Sequence, residues 1–310
     1  MAKILQVSSK TPLPDPSGFQ LTPTLHAAPY DSIHPTNNTL RKPFTVVVLG
    51  ASKGIGFHIA KAYAIAEATT IFLVSRSLSS LESAAGELRS INNSSVFHLV
   101  EANTSSSTEM ARLRDSVIEK SPSGRLDVVI VNAAYYGPMT TSVLSGDPND
   151  FAQVMSTNVL GAYHAAHYLI PLLLSTKNGA KNFFTISSLG AWMVQGEVAH
   201  TAACVSKLTQ ARLVEMISHE FKEQGLLATA IHPGFVATDM SSVVDKEWRK
   251  HLTDDPLLCG SFCVWLSNNS EELQWLSGRF LNAKWDAMEL SDMRESITGK
   301  DMLVARMVVS

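Results

Sequence analysis

From residue 44 onward the chain alternates short unbroken apolar runs with longer stretches of helical period. Val46-Val47-Val48-Leu49 is the first run, and a strand buried on both faces of a parallel sheet reads this way. A glycine-rich turn follows, then a helix over 57–67 and a second strand over 70–74. A helix at 78–91, a strand at 96–100, a helix at 108–119 and a strand at 127–131 continue the series. A long helix over 151–174, a fifth strand at 182–186, a helix from about residue 201 and a sixth strand at 227–231 extend it. A last strand is expected at 279–281. Strands and helices alternating at this spacing predict an α/β fold with a doubly wound parallel sheet.

Residues 1–43 are rich in Pro, Ser, Thr and Asn and show neither period, so they read as an irregular N-terminal extension. No Gly/Ser/Pro linker interrupts 44–290, which makes residues 44–310 a single domain. The start of the chain breaks into prolines and lacks the apolar core of a signal peptide. No run approaches the ~18 apolar residues of a membrane span.

Of the 310 residues, 45% are apolar, enough for a full core, and the formal charge is −3 with Lys and Arg scattered. That balance argues against nucleic-acid and membrane-surface partners. Cys204, Cys259 and Cys263 are an odd count, unsuited to a disulfide framework, and no His or Cys neighbours would complete a metal site. The protein is expected to be soluble and cytoplasmic, without a metal.

The chemistry concentrates where strands end. After the first strand comes Gly50-Ala51-Ser52-Lys53-Gly54-Ile55-Gly56. Gly50 permits a tight turn, Gly54 lets backbone approach a pyrophosphate, and Gly56 lets the next helix pack on the sheet. The helix N-terminus favours anionic oxygens. At the end of the second strand, where an NAD-preferring site carries an acid, the chain has Ser75-Arg76-Ser77. Arg76 can fork onto a 2′-phosphate and Lys53 adds a point charge, which points to NADP(H).

Further along stand Asn132-Ala133-Ala134, Thr157-Asn158-Val159, Ser187-Ser188, Ala203-Cys204-Val205-Ser206-Lys207 and Pro233-Gly234-Phe235-Val236-Ala237-Thr238. In order and spacing this set resembles the short-chain dehydrogenase/reductase superfamily, across about residues 19–305. The resemblance implies a Rossmann-type domain binding a nicotinamide cofactor through Gly50, Ser52, Lys53, Gly54, Ile55, Gly56, Arg76, Asn103, Asn132, Lys207, Pro233, Gly234, Val236 and Thr238. It implies that Asn158 holds a proton-relay water, that Ser188 donates to a substrate carbonyl, and that Lys207 binds the nicotinamide ribose. It also implies that residues 239–268 cover the substrate, with Val243, Val244 and Trp248 facing it. Pairing of two copies through the long helix and the lysine helix is expected, with Ala162, Ala165, Ala166 and Leu169 as the contact face.

One position departs from the pattern. The family's proton donor is the tyrosine of a Y-x-x-x-K motif, and Ala203 stands there. General acid catalysis is worth about 10²–10⁴-fold, so a reductase needs a substitute. His200, one turn before Ala203, and Tyr135 or Tyr136, at the mouth of the nicotinamide pocket in the family, are candidates, as is a water molecule. Three readings stay open: an NADP(H)-dependent reductase with a replacement acid, a cyclase or isomerase that retains the cofactor without net redox, and a silent binding protein. The segments 21–35 and 278–286 resemble fungal members of the superfamily, many of which modify secondary metabolites, and a bulky apolar small-molecule substrate is expected.

Overall fold

The computed structural model describes residues 19–243 and 245–307. Seven strands form one sheet: β1 (Thr45–Leu49), β2 (Thr70–Ser75), β3 (Val96–Glu101), β4 (Val128–Val131), β5 (Asn182–Ile186), β6 (Leu227–His232) and β7 (Phe280–Asn282). All pairings are parallel and the order is β3-β2-β1-β4-β5-β6-β7. The order reverses at β1/β4, which opens a crevice at the carboxyl ends of these strands, where doubly wound sheets bind ligands.

Helices cover both faces, which explains why the strands are apolar without alternation. Val46 and Val48 of β1 enter the core beneath α1 (Gly54–Ile65), α2 (Leu78–Ile91) and a late helix. Val47 and Leu49 enter the opposite core, beneath α3 (Ser107–Lys120) and two long helices. Successive side chains point to opposite faces, and both faces here are dry.

The long helix expected over 151–174 is two helices joined through a π-turn. Pro148–Met155 (α4) starts on Asp147, whose carboxylate accepts from Asn149 N at 2.8 Å, and Gly161–Ser175 is α5. Between them Ser156–Leu160 is wound as π-helix. One extra residue in the winding turns the Asn158 side chain into the protein, and such insertions recur at functional sites. The helix α6 (Thr201–Phe221) carries Ala203 and Lys207 on its buried face.

Two expectations change. Residues 239–268 do not act as one covering segment. Asp239–Val243 and the short α7 (Lys246–Arg249) lie outside the core, but α8 (Leu257–Asn268) is buried along most of its length and packs on α1. A Cβ on Gly260 would stand 2.8 Å from His58 O of α1, so glycine sets the distance between these helices. Cys259 and Cys263 are buried there as free thiols. The proposed pairing face is also internal: Ala162, Ala165, Ala166 and Leu169 belong to the core. The large apolar side chains that α5, the turn before it and α6 turn outward are Leu160, Tyr163, Val205, Leu208 and Met216.

The irregular N-terminal segment is tied down from residue 19 onward. Leu25 bridges Trp285 antiparallel to β-structure, His26 N donates to Lys284 O at 2.7 Å, and the buried Trp285 indole donates to Phe19 O at 3.0 Å. The leader and the closing segment thus form one patch, completed by His26 on Asp286 and by Glu289 of α9 (Ala287–Asp292) on Thr24. Residues 1–18 and Val244 lie outside the described residues.

Candidate active site

The crevice at the switch point is built from the turn that follows β1. Gly50 has φ +83°, a conformation that L side chains rarely adopt, and a Cβ there would stand 2.8 Å from Ala133 backbone. A Cβ on Gly56 would collide with the Gly50 carbonyl and the Asn132 amide. Asn132 Nδ2 donates to Gly50 O at 2.9 Å and so locks the turn onto the end of β4. The N-cap residue Lys53 makes no side-chain cap on the first turn of α1, which leaves N–H groups there for an anion. Gly54 faces Thr238 across a gap, since a Cβ on it would come within 3.5 Å of Thr238 Cγ2.

These features fit a nicotinamide dinucleotide: a turn that side chains would fill and an uncapped helix end. Arg76 is exposed and makes no ion pair among the described residues, so its guanidinium is free for a phosphate. Lys53 differs from the expectation. Its ammonium pairs with Asp239 Oδ2 at 2.7 Å, and this contact holds the Asp239 carboxyl below its ordinary range. Both side chains are largely exposed, so water weakens the pair. Asn103 bends the loop after β3 by accepting from Ser105 N at 3.1 Å. Ser52 and Ile55 sit in the turn half-buried.

At the reacting end a cavity of about 70 Å³ lies beside Ala203, lined by Tyr136, Met139, Ser188, Gly190, Val198, His200, Cys204 and Lys207. The structure separates the serine pair. Ser188 lines the cavity, with its hydroxyl accepting from Gly190 N at 3.1 Å, while Ser187 is buried and its hydroxyl points to Lys207 O at 3.5 Å.

Asn158 is fully engaged. Its Oδ1 accepts from Tyr135 N at 2.8 Å, and its Nδ2 donates to Tyr135 O and to Ser206 Oγ, both at 2.9 Å. The side chain therefore clamps the loop that carries Tyr136. Its main-chain oxygen accepts from Gln210 Nε2 at 2.6 Å, and Gln210 Oε1 accepts from Lys207 Nζ at 3.0 Å. A glutamine side chain spans the interval that the resemblance assigns to a relay water. Gln210 escaped the sequence reading, although its place three residues after Lys207 puts it on the same helix face.

The candidates for a replacement acid fare unequally. His200 lines the cavity with Nδ1 3.1 Å from Thr140 O and Nε2 beside Tyr136 O, so whichever nitrogen carries the proton already has a backbone acceptor. It staples the 136–140 loop to the start of α6. Burial, with Cys204 nearby, pushes the Tyr136 phenol up to about 12, which makes it a poor proton donor. Burial likewise raises the Cys204 thiol to about 11. Lys207 moves the other way: burial alone lowers its ammonium to about 7.

The P-G turn after β6 is held from beneath. Gly234 has φ +97° and stands against the Asp254 carboxylate, which accepts from Phe235 N at 2.6 Å and pairs with buried Lys284. Pro233 and Val236 are buried and Thr238 half-buried. His232 lies beneath, its pKa lowered to about 3 by burial and then by the Lys284 charge. Trp248, expected to face substrate, instead packs edge-on against Phe235 and His251.

Comparison with known proteins agrees with this geometry. The family model for short chain dehydrogenases matches residues 44–248. The chain is 34% identical over 302 residues to the short chain dehydrogenase pgmD of Aspergillus terreus, covering 94% of this chain and 95% of that one. It is 32% identical over 265 residues to the short chain dehydrogenase mpl6 of Monascus purpureus, covering 85% and 88%. A Shigella flexneri structure described as a short chain dehydrogenase complexed with NADP superimposes with a TM-score of 0.69, at 23% identity, over 79% of this chain and 98% of that one. The chain belongs to the short-chain dehydrogenase/reductase family, an oxidoreductase family, and carries its Rossmann-type fold.

The glycine turn gives a direct test. Gly56→Ala must push α1 off the Gly50 carbonyl, and cofactor binding, read by quenching of protein fluorescence, should weaken by about tenfold or more, equivalent to about 1.4 kcal/mol. Unchanged affinity would show that the turn does not carry the cofactor.

Proposed function

We propose that the protein is an NADPH-dependent reductase acting on a carbonyl group of an apolar small molecule, working without the tyrosine acid. The observation that carries this reading is the cavity beside Ala203, where Ser188 and Lys207 meet a lining that includes Met139 and Val198. A bound dinucleotide would lie on the glycine turn, with Arg76 beside its 2′-phosphate and Thr238 and Val236 beside the nicotinamide. When bound in reduced form it supplies a hydride. The protein's own part is to hold the carbonyl: the Ser188 hydroxyl donates to its oxygen and stabilises the charge that develops there. The apolar walls exclude water, which strengthens that contact. Met240, exposed on the segment after Thr238, offers apolar surface to the rest of the substrate. Three free thiols suit a reducing compartment such as the cytoplasm.

A second reading rests on the same cavity. The space beside Ala203 can hold part of a substrate, which suits a cyclisation or isomerisation in which the dinucleotide stays unchanged. One substitution separates the two. In a reductase, Ala203→Tyr rebuilds the family's acid, and NADPH oxidation in the presence of carbonyl substrates holds or rises. In a cyclase or isomerase the phenol fills the substrate's place, and the native product disappears from the mass spectrum.

Cofactor preference rests on Arg76. NADPH should bind more tightly than NADH, and Arg76→Ala should weaken NADPH by roughly tenfold, about the value of one charge-assisted contact, with NADH little changed. Equal wild-type affinities would remove the 2′-phosphate assignment.

The outward apolar side chains Leu160, Tyr163, Val205, Leu208 and Met216 support a homo-oligomer formed through α5 and α6. Light scattering should then give at least a dimer at micromolar concentration, and Tyr163→Glu combined with Met216→Glu should give a monomer. A monomeric wild type would remove this pairing.

A further inference from the structure

Lys207 Nζ is almost wholly buried and has two partners, Ile186 O at 2.7 Å and Gln210 Oε1 at 3.0 Å. Both are acceptors, so each takes one N–H. The third position on the nitrogen has no partner among the described residues, and the side chain lines the cavity that Ser188 shares. No carboxylate pairs with Lys207 among the described residues. The ionisable groups that face it around the cavity are Tyr136 from the loop after β4, and His200 and Cys204 from α6 and its start. The proton on the His200 ring has a backbone carbonyl beside either nitrogen, and burial makes the phenol and the thiol weaker acids than the Lys207 ammonium.

We propose that Lys207 is itself the proton donor to the substrate oxygen, with Gln210 as the positioning residue that fixes its ammonium against Ile186 O and leaves one N–H for the cavity. The assignment rests on the reductase reading and specifies its missing acid. The step balances. The carbonyl carbon would take the hydride that a bound reduced nicotinamide supplies, the oxygen takes one proton from the ammonium, and an alcohol and a neutral amine result. The amine recovers its proton from water. Its two remaining hydrogens keep their bonds to Ile186 O and Gln210 Oε1, so the group need not move between steps.

Gln210 also changes how the amine communicates with solvent. A water in that interval could accept a proton on one side and release another on the other. The Gln210 amide joins Lys207 to Asn158 O with one acceptor and one donor, and passes no proton without changing tautomer. Recharging of the amine must therefore run through the cavity mouth, after product leaves.

Two measurements test this together. The Lys207 amine is followed by nitrogen NMR of protein carrying labelled lysine, with Lys207→Met identifying the signal, and NADPH oxidation is followed over the same pH range. Burial predicts a midpoint near 7. Because the ammonium is the reactive form, reduction should be fastest below that midpoint and fall about tenfold per pH unit above it. Oxidation of the alcohol needs the amine and should rise over the same interval.

Gln210→Glu places a carboxylate beside the ammonium and should move the NMR midpoint upward by about one to three pH units. The activity profile should move with it by the same amount. A moved NMR midpoint with an unmoved activity profile overturns the assignment, as does NADPH oxidation that ignores pH across the wild-type midpoint. In both cases the reductase reading stands. A wild type that binds NADPH but never oxidises it overturns both.

Discussion

Everything at the functional end of this molecule depends on how closely three pieces of backbone approach at the switch point. The Gly50 carbonyl, the start of α1 at Gly56 and the end of β4 are packed without room for a Cβ, and the Asn132 amide bonds the first to the last. That contact sets where α1 begins and where its free N–H groups point. The amino ends of the same strands have their own staple. The Asp127 carboxylate accepts from Thr45 N at 2.8 Å and Ala180 N at 3.2 Å, and Arg125 forks onto it. Removing it would leave buried N–H groups without an acceptor, a loss of the kind that costs several kcal/mol. Strands β1 and β4 are thus held at both ends, and the crevice between them is a fixed feature of the fold.

The second constraint is a buried amine with no carboxylate partner among the described residues. Taking an ammonium out of water is unfavourable, and two hydrogen bonds to neutral acceptors compensate only in part, so the group is poised to lose its proton. Lys207 is held at that point by neighbours that have their own ties. Gln210 is anchored on Asn158 O, and Asn158 in turn secures Tyr135 and Ser206. The π-turn makes this possible, because regular α-winding through 156–160 would turn Asn158 differently. Helix geometry, loop position and amine chemistry are therefore coupled through one side chain.

The segments around Leu25 and Trp285 reach the same site by another route. The leader and the closing segment meet through Leu25 and Trp285, and the adjacent Lys284 pairs with Asp254 beneath the P-G turn. A buried pair of this kind is poor evidence for stability, since desolvation offsets much of its attraction. Here its effect is geometric: Asp254 fixes Phe235 N and fills the space against which Gly234 turns. Segments remote in sequence thereby hold the strand end that carries the P-G turn.

The alternation of apolar runs with helical periods determined the sheet, its parallel character and nearly all element positions, because burial on both faces writes itself directly into local composition. The glycine turn and the order of the site motifs were legible for the same reason: each is local and chemically specific. The same motif order sets Ala203 where the resemblance expects a tyrosine. What the tertiary structure decided are relations between distant residues. Ala162, Ala165 and Leu169 read equally as core or contact face, and only the packed sheet puts them inside. The covering segment divides at α8 because Gly260 lets that helix lie against α1. Ser187 and Ser188 are chemical twins until strand β5 turns one into the core and the other to the cavity. His200 carries the chemistry of an acid in the sequence, but carbonyls of a loop sixty-odd residues earlier flank both its nitrogens, so its N–H already has an acceptor. Hydrogen-bond partners of that kind follow from proximity in space, which no local pattern encodes.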